Sequence, residues 1–337
     1  MASSQQAAEF TRGENIGLAI TAFGAPEVLQ VRNLPMPQAG AQQVVVQVAA
    51  AGINPIDAKT RAGLGWAAQA HKDDLPWVPG FDVAGTVVHA SSDSAWQCGD
   101  RVAGYVQGGG GYSRYLAVPD ALLARVPDNV SLAQAGALPV AGITAWQMVR
   151  KMAVQPGERV LVSAPVGGVG HVLVQLLRRA GAQVVALCSA QKSALAQQLG
   201  AHEIIDYQQP LPTAADILPR QVDVLFDLVG GDAGIRALAW VKPSGRVLTL
   251  PTISAERVCQ AAVERGISTA VGLLAQPSVH DLQALLALIA QGELNIMLSK
   301  EYPLQDGAEA HRELERGRTC GKLIFSLEEP CTTATKA

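Results

Sequence analysis

The segment Leu161–Ser189, LVSAPVGGVGHVLVQLLRRAGAQVVALCS, constrains the fold of this chain more than any other stretch. A β-branched run (VLVSA) enters a glycine-rich turn, a helical pattern (VGHVLVQLLRRAG) follows, and a second β-branched run (QVVALC) closes the unit. Strand, turn, helix and strand in that order require a parallel sheet with helices on its faces. A dinucleotide fingerprint, G-x-G-x-x-G, would place glycine at 165, 167 and 170, and here position 165 is proline. Gly167 and Gly168 let backbone N–H groups approach a pyrophosphate at a helix N-terminus, and Gly170 lets the helix pack closely on the strand. Proline gives up the most permissive position of the turn, with a fixed φ that many turns accept. The same residues also make a tight βα turn without any ligand, because a glycine motif alone is a weak signal.

The second strand adds information. A site that prefers NAD has an acid about twenty residues beyond the fingerprint, where it binds the ribose 2′-hydroxyl. Here that place reads Leu187-Cys188-Ser189, followed by Ala190-Gln191-Lys192, with no carboxylate. A hydroxyl donor and a lysine suit a 2′-phosphate. Lys192 reads equally as a solvated lysine opening a surface helix.

From Ile16 to about Val126 the chain shows short strand patterns, QVVVQVAAAG, VAGTVVHA and YSRYLAVP, separated by GAPEV, LPMPQAG, CGD and QGGGGY. This half predicts a small, mostly β, barrel-like domain. Near Ser131, a plausible N-cap, the texture becomes helical, and from Gln155 to about Leu274 strand and helix patterns alternate as in βαβ units. Asp281–Leu294 is a further amphipathic helix, and the last segment predicts a helix and then the strand LIFSL. With 337 residues, 49% of them hydrophobic and 16% charged, there is material for two cores. The net charge of -3 and the lack of a basic segment exclude a nucleic-acid footprint. Five cysteines, never in C-x-x-C spacing, argue against a disulfide framework. No apolar run is long enough to span a bilayer and no secretory h-region is present, so no membrane partner and a cytoplasmic location are expected.

The motifs APVGGVGHVLVQLLRRAGAQVVA, AAGINPIDAKTRAG, LPVAGITAW, DVLFDLVGG, VKPSGRVLTL and AHRELERGRTCGKLIF occur in this sequence. Together, from about Ile16 to Leu327, they resemble the zinc-independent quinone oxidoreductase branch of the medium-chain dehydrogenase/reductase superfamily. In that family a small residue often stands where the first glycine would be, so its absence is a family trait and proline an unusual form of it. The resemblance implies an α/β protein with a GroES-like, mostly β catalytic domain (16–138, completed by 300–328) and a Rossmann NADP-binding domain with a doubly wound parallel sheet (139–299). It implies an active site in the cleft between them. Residues 1–15 and 329–337 are expected to be flexible termini.

Carried over by motif, the phosphate loop falls on Gly167, Gly168, Val169 and Gly170, and the 2′-phosphate contacts on Ser189, Lys192 and Tyr207. Thr144 falls on the nicotinamide side, Val229, Leu250 and Leu274 along the cofactor, and Arg318 and Lys322 near the phosphate end. The cofactor so implied is NADPH. Catalytic zinc needs three protein ligands and an open position. The places that hold zinc ligands in the metal-dependent branch are Asn54, Phe81 and Val140 here, none of them a zinc ligand, so no metal is expected.

Without a metal, alkoxide stabilisation for alcohol oxidation has no visible source, whereas a quinone or conjugated enone delocalises incoming charge. The protein then supplies proximity and orientation, helped by a donor near the developing oxyanion. Asn54 can donate through its amide and Asp57 can orient neighbours or relay a proton. Asn54-Pro55 also reads as a turn and Asp57 as a helix cap. The family often carries a tyrosine shortly after R-x-G; here Gly65 and Trp66 stand there, and Trp66 is a candidate pocket wall. Tyr112 is a second pocket candidate or a packed strand residue. The expected function is NADPH-dependent hydride transfer to a small electrophile, a quinone or an α,β-unsaturated carbonyl. The alternative is an NADPH-binding sensor or structural protein without turnover. Ile267–Ala275 could be an apolar edge strand for a homodimer or an internal strand.

Overall fold

The computed structural model describes residues 14–210 and 213–327, which form two compact units. The termini expected to be flexible lie outside the described residues except at Glu14 and Asn15. Asn15 departs from that expectation: it opens the strand Asn15–Ile20 and is buried. Its amide explains this, since Nδ2 donates to the carbonyls of Pro35 (3.1 Å) and Tyr115 (3.2 Å) while Oδ1 accepts the Tyr115 N–H.

The first unit holds residues up to Val140, Pro277–Gln291 and the chain from Leu298 onward. Its main sheet runs Leu298–Tyr302, Lys322–Ser326, Gln43–Ile53, Asp82–Ala90, Arg101–Tyr105 and Leu123–Arg125, with Tyr115–Pro119 also paired to Gln43–Ile53. The long strand Gln43–Ile53 can pair with three partners because it is eleven residues long and buried nearly throughout. Lys322–Ser326 joins it antiparallel, with Leu323 opposite Ile53, so the last strand among the described residues returns to the sheet that the first half began. Asn15–Ile20 and Leu29–Leu34 form a separate antiparallel pair.

The helix Val279–Ala290 was expected within the dinucleotide-binding domain, but it groups with the first unit. Its last turn is tied there by Asn129 Nδ2, which donates to the Ala290 carbonyl at 2.8 Å. Its first turn is capped by Ser278, whose hydroxyl accepts the Asp281 N–H.

The second unit, residues 141–276 and 292–297, is built on six parallel strands. In space they run Glu203–Asp206, Gln183–Cys188, Arg159–Ser163, Val222–Asp227, Val241–Thr249, Thr269–Gly272. Numbered along the chain the order is 3-2-1-4-5-6, so the direction of winding reverses between Arg159–Ser163 and Val222–Asp227. Gly170–Arg179, Ser193–Leu199, Gly231–Ala237 and Ala255–Glu264 are the principal helices between the strands. Leu161, Val185, Val222, Leu225, Trp240 and Val247 form the core of one face, which accounts for the near-continuous apolar runs of these strands.

Candidate active site

Ligands bind open α/β sheets beyond the carboxyl ends of the strands, at the point where winding reverses. The glycine turn lies there, directly after Arg159–Ser163. The left-handed step of the turn falls on Ala164 (φ 48°), one residue before Pro165, a conformation that non-glycine residues adopt at a cost of order 1–3 kcal/mol. The turn closes through Gly167 N–H to the Ala164 carbonyl at 3.1 Å, and His171 Nδ1 lies 2.9 Å from the Gly167 carbonyl. A Cβ on Gly170 would strike the Ala164 carbonyl and sit 2.9 Å from Pro165, so the helix can approach the strand only with glycine there. A Cβ on Gly167 would meet only the Ala164 carbonyl, at 3.4 Å, an ordinary contact. Gly167 is therefore not demanded by packing within the turn.

The neighbouring strand ends converge on the same edge. Ser189 and Lys192 follow Gln183–Cys188, the serine buried and the lysine half-buried, with the Lys192 N–H bonded to the Ser189 carbonyl. Tyr207 follows Glu203–Asp206, which pairs with that strand, and is 57% exposed. Val229 and Leu274, 50% and 46% exposed, follow two further strands, and half-buried Leu250 follows Val241–Thr249. Exposed apolar side chains gathered at one sheet edge are what a bound apolar or aromatic ligand would cover. Thr144 is buried in the helix Pro139–Lys151, which leads into this unit.

A buried polar knot that sequence reasoning missed holds this edge together. The Asp227 carboxylate accepts from Ser163 Oγ (3.2 Å), Thr249 Oγ1 (2.8 Å) and the Val229 and Gly230 amides (3.1 and 2.9 Å). It joins the ends of three adjacent strands and shapes the turn that presents Val229. The available signal was one polar residue at the end of each apolar strand: Ser163, Asp227 and Thr249 at the close of VLVS, VLFD and RVLT.

The remaining candidates lie in the first unit, and the structure revises several of them. Asn54 was expected to offer a free amide donor. Its Nδ2 instead donates to Asp82 Oδ2 at 2.8 Å and approaches the Gly52 carbonyl at 3.4 Å, while Oδ1 accepts from Lys322. Lys322 was expected near a phosphate, yet it is buried and pairs with Asp82 at 3.3 Å. Asp57 caps the helix Pro55–Arg61 by accepting the Asn54 N–H at 2.7 Å, and its other oxygen accepts the Gly80 N–H at 3.1 Å. Burial raises its pKa to about 7, with the Asp82 charge adding to the rise; the Asn54 amide, Tyr112 and Lys322 act in the opposite sense. Burial also raises the pKa of Asp82, against the pull of Lys322 and Asn54.

Tyr112 is a packed residue rather than a pocket wall. It is fully buried, edge-on to Phe325 at 4.7 Å and to His311 at 6.1 Å. Burial, with the nearby Asp57 carboxylate, raises the pKa of its hydroxyl well above the ordinary value. Trp66 is half-buried and tilts on the ring of Phe81 at 6.2 Å. Arg318 is exposed in the loop before Lys322–Ser326.

A zinc ion does not fit these residues. Of the three places matched to zinc ligands, Phe81 and Val140 are apolar, and the Asn54 amide is bonded to Asp82 and Lys322. Among the described residues no group of three or more His, Cys, Asp or Glu side chains could hold a metal ion.

A GroES-like barrel unit and a six-stranded parallel sheet with a nucleotide-type edge, in one chain, define a two-domain dehydrogenase or reductase. Two family models match, an alcohol dehydrogenase GroES-like domain over residues 40–128 and a zinc-binding dehydrogenase over 199–325. The solved structure of the quinone oxidoreductase from Coxiella burnetii is similar with a TM-score of 0.88 and 33% identity, over 94% of this chain and 100% of that one. The 2-methylene-furan-3-one reductase of Solanum lycopersicum is 35% identical over 346 aligned residues, 96% of this chain and 84% of that protein. Escherichia coli quinone oxidoreductase, solved in complex with NADPH, has a TM-score of 0.82 and 27% identity, covering 92% of this chain and 99% of that one. The chain belongs to the quinone oxidoreductase branch of the medium-chain dehydrogenase/reductase superfamily, and it is an oxidoreductase of that family.

Proposed function

We propose that this protein is a zinc-independent reductase that uses NADPH to reduce quinones or α,β-unsaturated carbonyls. The observation that carries the reading is the sheet edge where the glycine turn, Ser189, Lys192 and exposed Tyr207 lie at the ends of adjacent strands with no acid at the Ser189 position. Residues 167–170 suit the pyrophosphate: Gly167 leaves room for its approach, and the amides that follow open a helix whose dipole favours negative charge. Ser189 and Lys192 suit a 2′-phosphate by charge-assisted hydrogen bonding. Val229, Leu250 and Leu274 offer apolar cover along the cofactor, and Thr144 offers a hydroxyl to the nicotinamide end.

Bound there, the nicotinamide supplies a hydride. The chain's contribution is orientation and exclusion of water rather than Lewis-acid activation. A conjugated acceptor would take the hydride at carbon and a proton from water, and Trp66 beside Phe81 supplies a flat apolar wall for such an acceptor. The relatives fit this acceptor class: two carry the name quinone oxidoreductase and one reduces a methylene-furanone by its name. We place the protein in the cytoplasm as a homodimer; no helix among the described residues is long and apolar enough to cross a membrane.

The test is the initial rate of nicotinamide oxidation with a benzoquinone, NADPH against NADH. Preference for NADPH supports the reading. Preference for NADH would remove the roles of Ser189 and Lys192.

A further inference from the structure

One carboxylate, that of Asp82, gathers three segments distant in sequence. Oδ2 accepts from Asn54 Nδ2 at 2.8 Å and from the Lys322 ammonium at 3.3 Å. Oδ1 accepts the backbone N–H of Val140 at 2.6 Å. Lys322 completes the knot through Asn54 Oδ1 and the Ile53 carbonyl at 3.4 Å. Asp82 and Lys322 are 0% and 2% exposed, so neither charge is solvated in the usual way.

Folding alone does not call for such a pair. Apolar residues of similar volume often fill the space of a buried ion pair with equal or greater stability, whereas an ion pair adds a fixed geometry. The contact with Val140 shows what is being fixed. Val140 is the second residue of the helix Pro139–Lys151, where backbone N–H groups have no intrahelical acceptor. A carboxylate there satisfies the orphan donor and is favoured by the helix dipole. Thr144 follows four residues later, one turn along the same face of the helix.

We propose that Asp82, held in place by Lys322 and Asn54, is a positioning residue: it fixes the first turn of Pro139–Lys151 and, through that turn, the place of the Thr144 hydroxyl at the nicotinamide end. This rests on the proposed function of Thr144. A displacement of about 1 Å at a reacting centre costs on the order of 100-fold in rate. Loss of the anchor is therefore expected in kcat and not in cofactor affinity, which the phosphate contacts supply.

Removing one charge alone would leave the other buried and unpaired, so charge-neutral double variants are the proper test. In Asp82→Leu with Lys322→Met the Val140 N–H loses its acceptor. In Asp82→Asn with Lys322→Met the acceptor returns without the charge. The first should bind NADPH within roughly 2-fold of wild type by fluorescence titration while kcat falls at least roughly 10-fold. The primary isotope effect with NADPH deuterated at C4 should not fall. The second should recover most of kcat. The assignment is overturned if kcat per folded molecule is unchanged in the first variant and only its melting temperature moves. It is equally overturned if the asparagine variant recovers nothing. A wild-type protein that binds NADPH but oxidises it with no quinone or enone would overturn the proposed function, and this assignment with it.

Discussion

Asp57 is a carboxyl group with no solvent exposure, and its proton is an internal gauge of the barrel unit. Its pKa of about 7 lies above the 3.8 of an unburied aspartate. The folded state therefore holds the proton more tightly than the unfolded chain does, and folding stability falls as pH rises from about 4 to about 7 before levelling off. The variant Asp57→Asn cannot ionise; its single oxygen can accept only one of the Asn54 and Gly80 amides, a loss that does not vary with pH. Its stability relative to wild type should rise by up to about 4 kcal/mol between about pH 4 and about pH 8. Urea unfolding at the two pH values checks this, and a difference independent of pH would contradict the buried-acid assignment. Lys192 supports a second prediction at this scale. Lys192→Ala should raise the KM for NADPH roughly 10-fold or more and leave that for NADH nearly unchanged, because a charge-assisted bond contributes about 1.5–3 kcal/mol. Equal effects on both cofactors would deny the 2′-phosphate contact. The place of Lys192 beyond the second strand was legible because strand, turn and helix are local in sequence. The knot of Asn54, Asp82 and Lys322 was not. Its members are 28 and 268 residues from Asn54, and only the paired strands bring them together.

Among the elements, the glycine turn separates packing from binding. Gly170→Ala puts a Cβ against backbone atoms of Ala164 and Pro165 that cannot move without displacing the strand. It should destabilise the protein by about 1–3 kcal/mol, as overpacking does. Gly167→Ala meets one carbonyl at 3.4 Å and should leave the melting temperature within about 2 °C of wild type while weakening NADPH binding, because the new methyl stands where a phosphate must approach. Thermal melts and NADPH titrations of the two variants check the contrast; similar losses of stability in both would contradict it. The strands and helices of this unit were readable from apolar runs alternating with helical periods. The helix Val279–Ala290 shows the limit of that reading. Its leucines and alanines state that it is buried but not against which sheet, and Asn129 outside it supplies the tie that decides. The turn is similar: the sequence showed a proline in place of glycine, but only the backbone shows that Ala164 takes the left-handed step.

For the whole molecule, the edge of the parallel sheet and the chemistry of its ligand matter most. Thr269–Gly272 is paired on one side only among the described residues, with exposed Val263 on the helix Ala255–Glu264 before it and exposed Leu274 just beyond it. An open apolar edge of this kind invites pairing with a second copy. Light scattering should therefore give the mass of two chains, and a single-chain mass at working concentration would defeat the homodimer. The proposed reaction is tested by following NADPH oxidation with a benzoquinone, a naphthoquinone, an alkyl enone and a simple aldehyde, with the products identified by mass. Turnover is expected on a quinone or the enone, with one NADPH consumed per acceptor reduced by two electrons, and none on the aldehyde. Tight NADPH binding with no turnover on any acceptor would contradict it and leave a nucleotide-binding protein without catalysis.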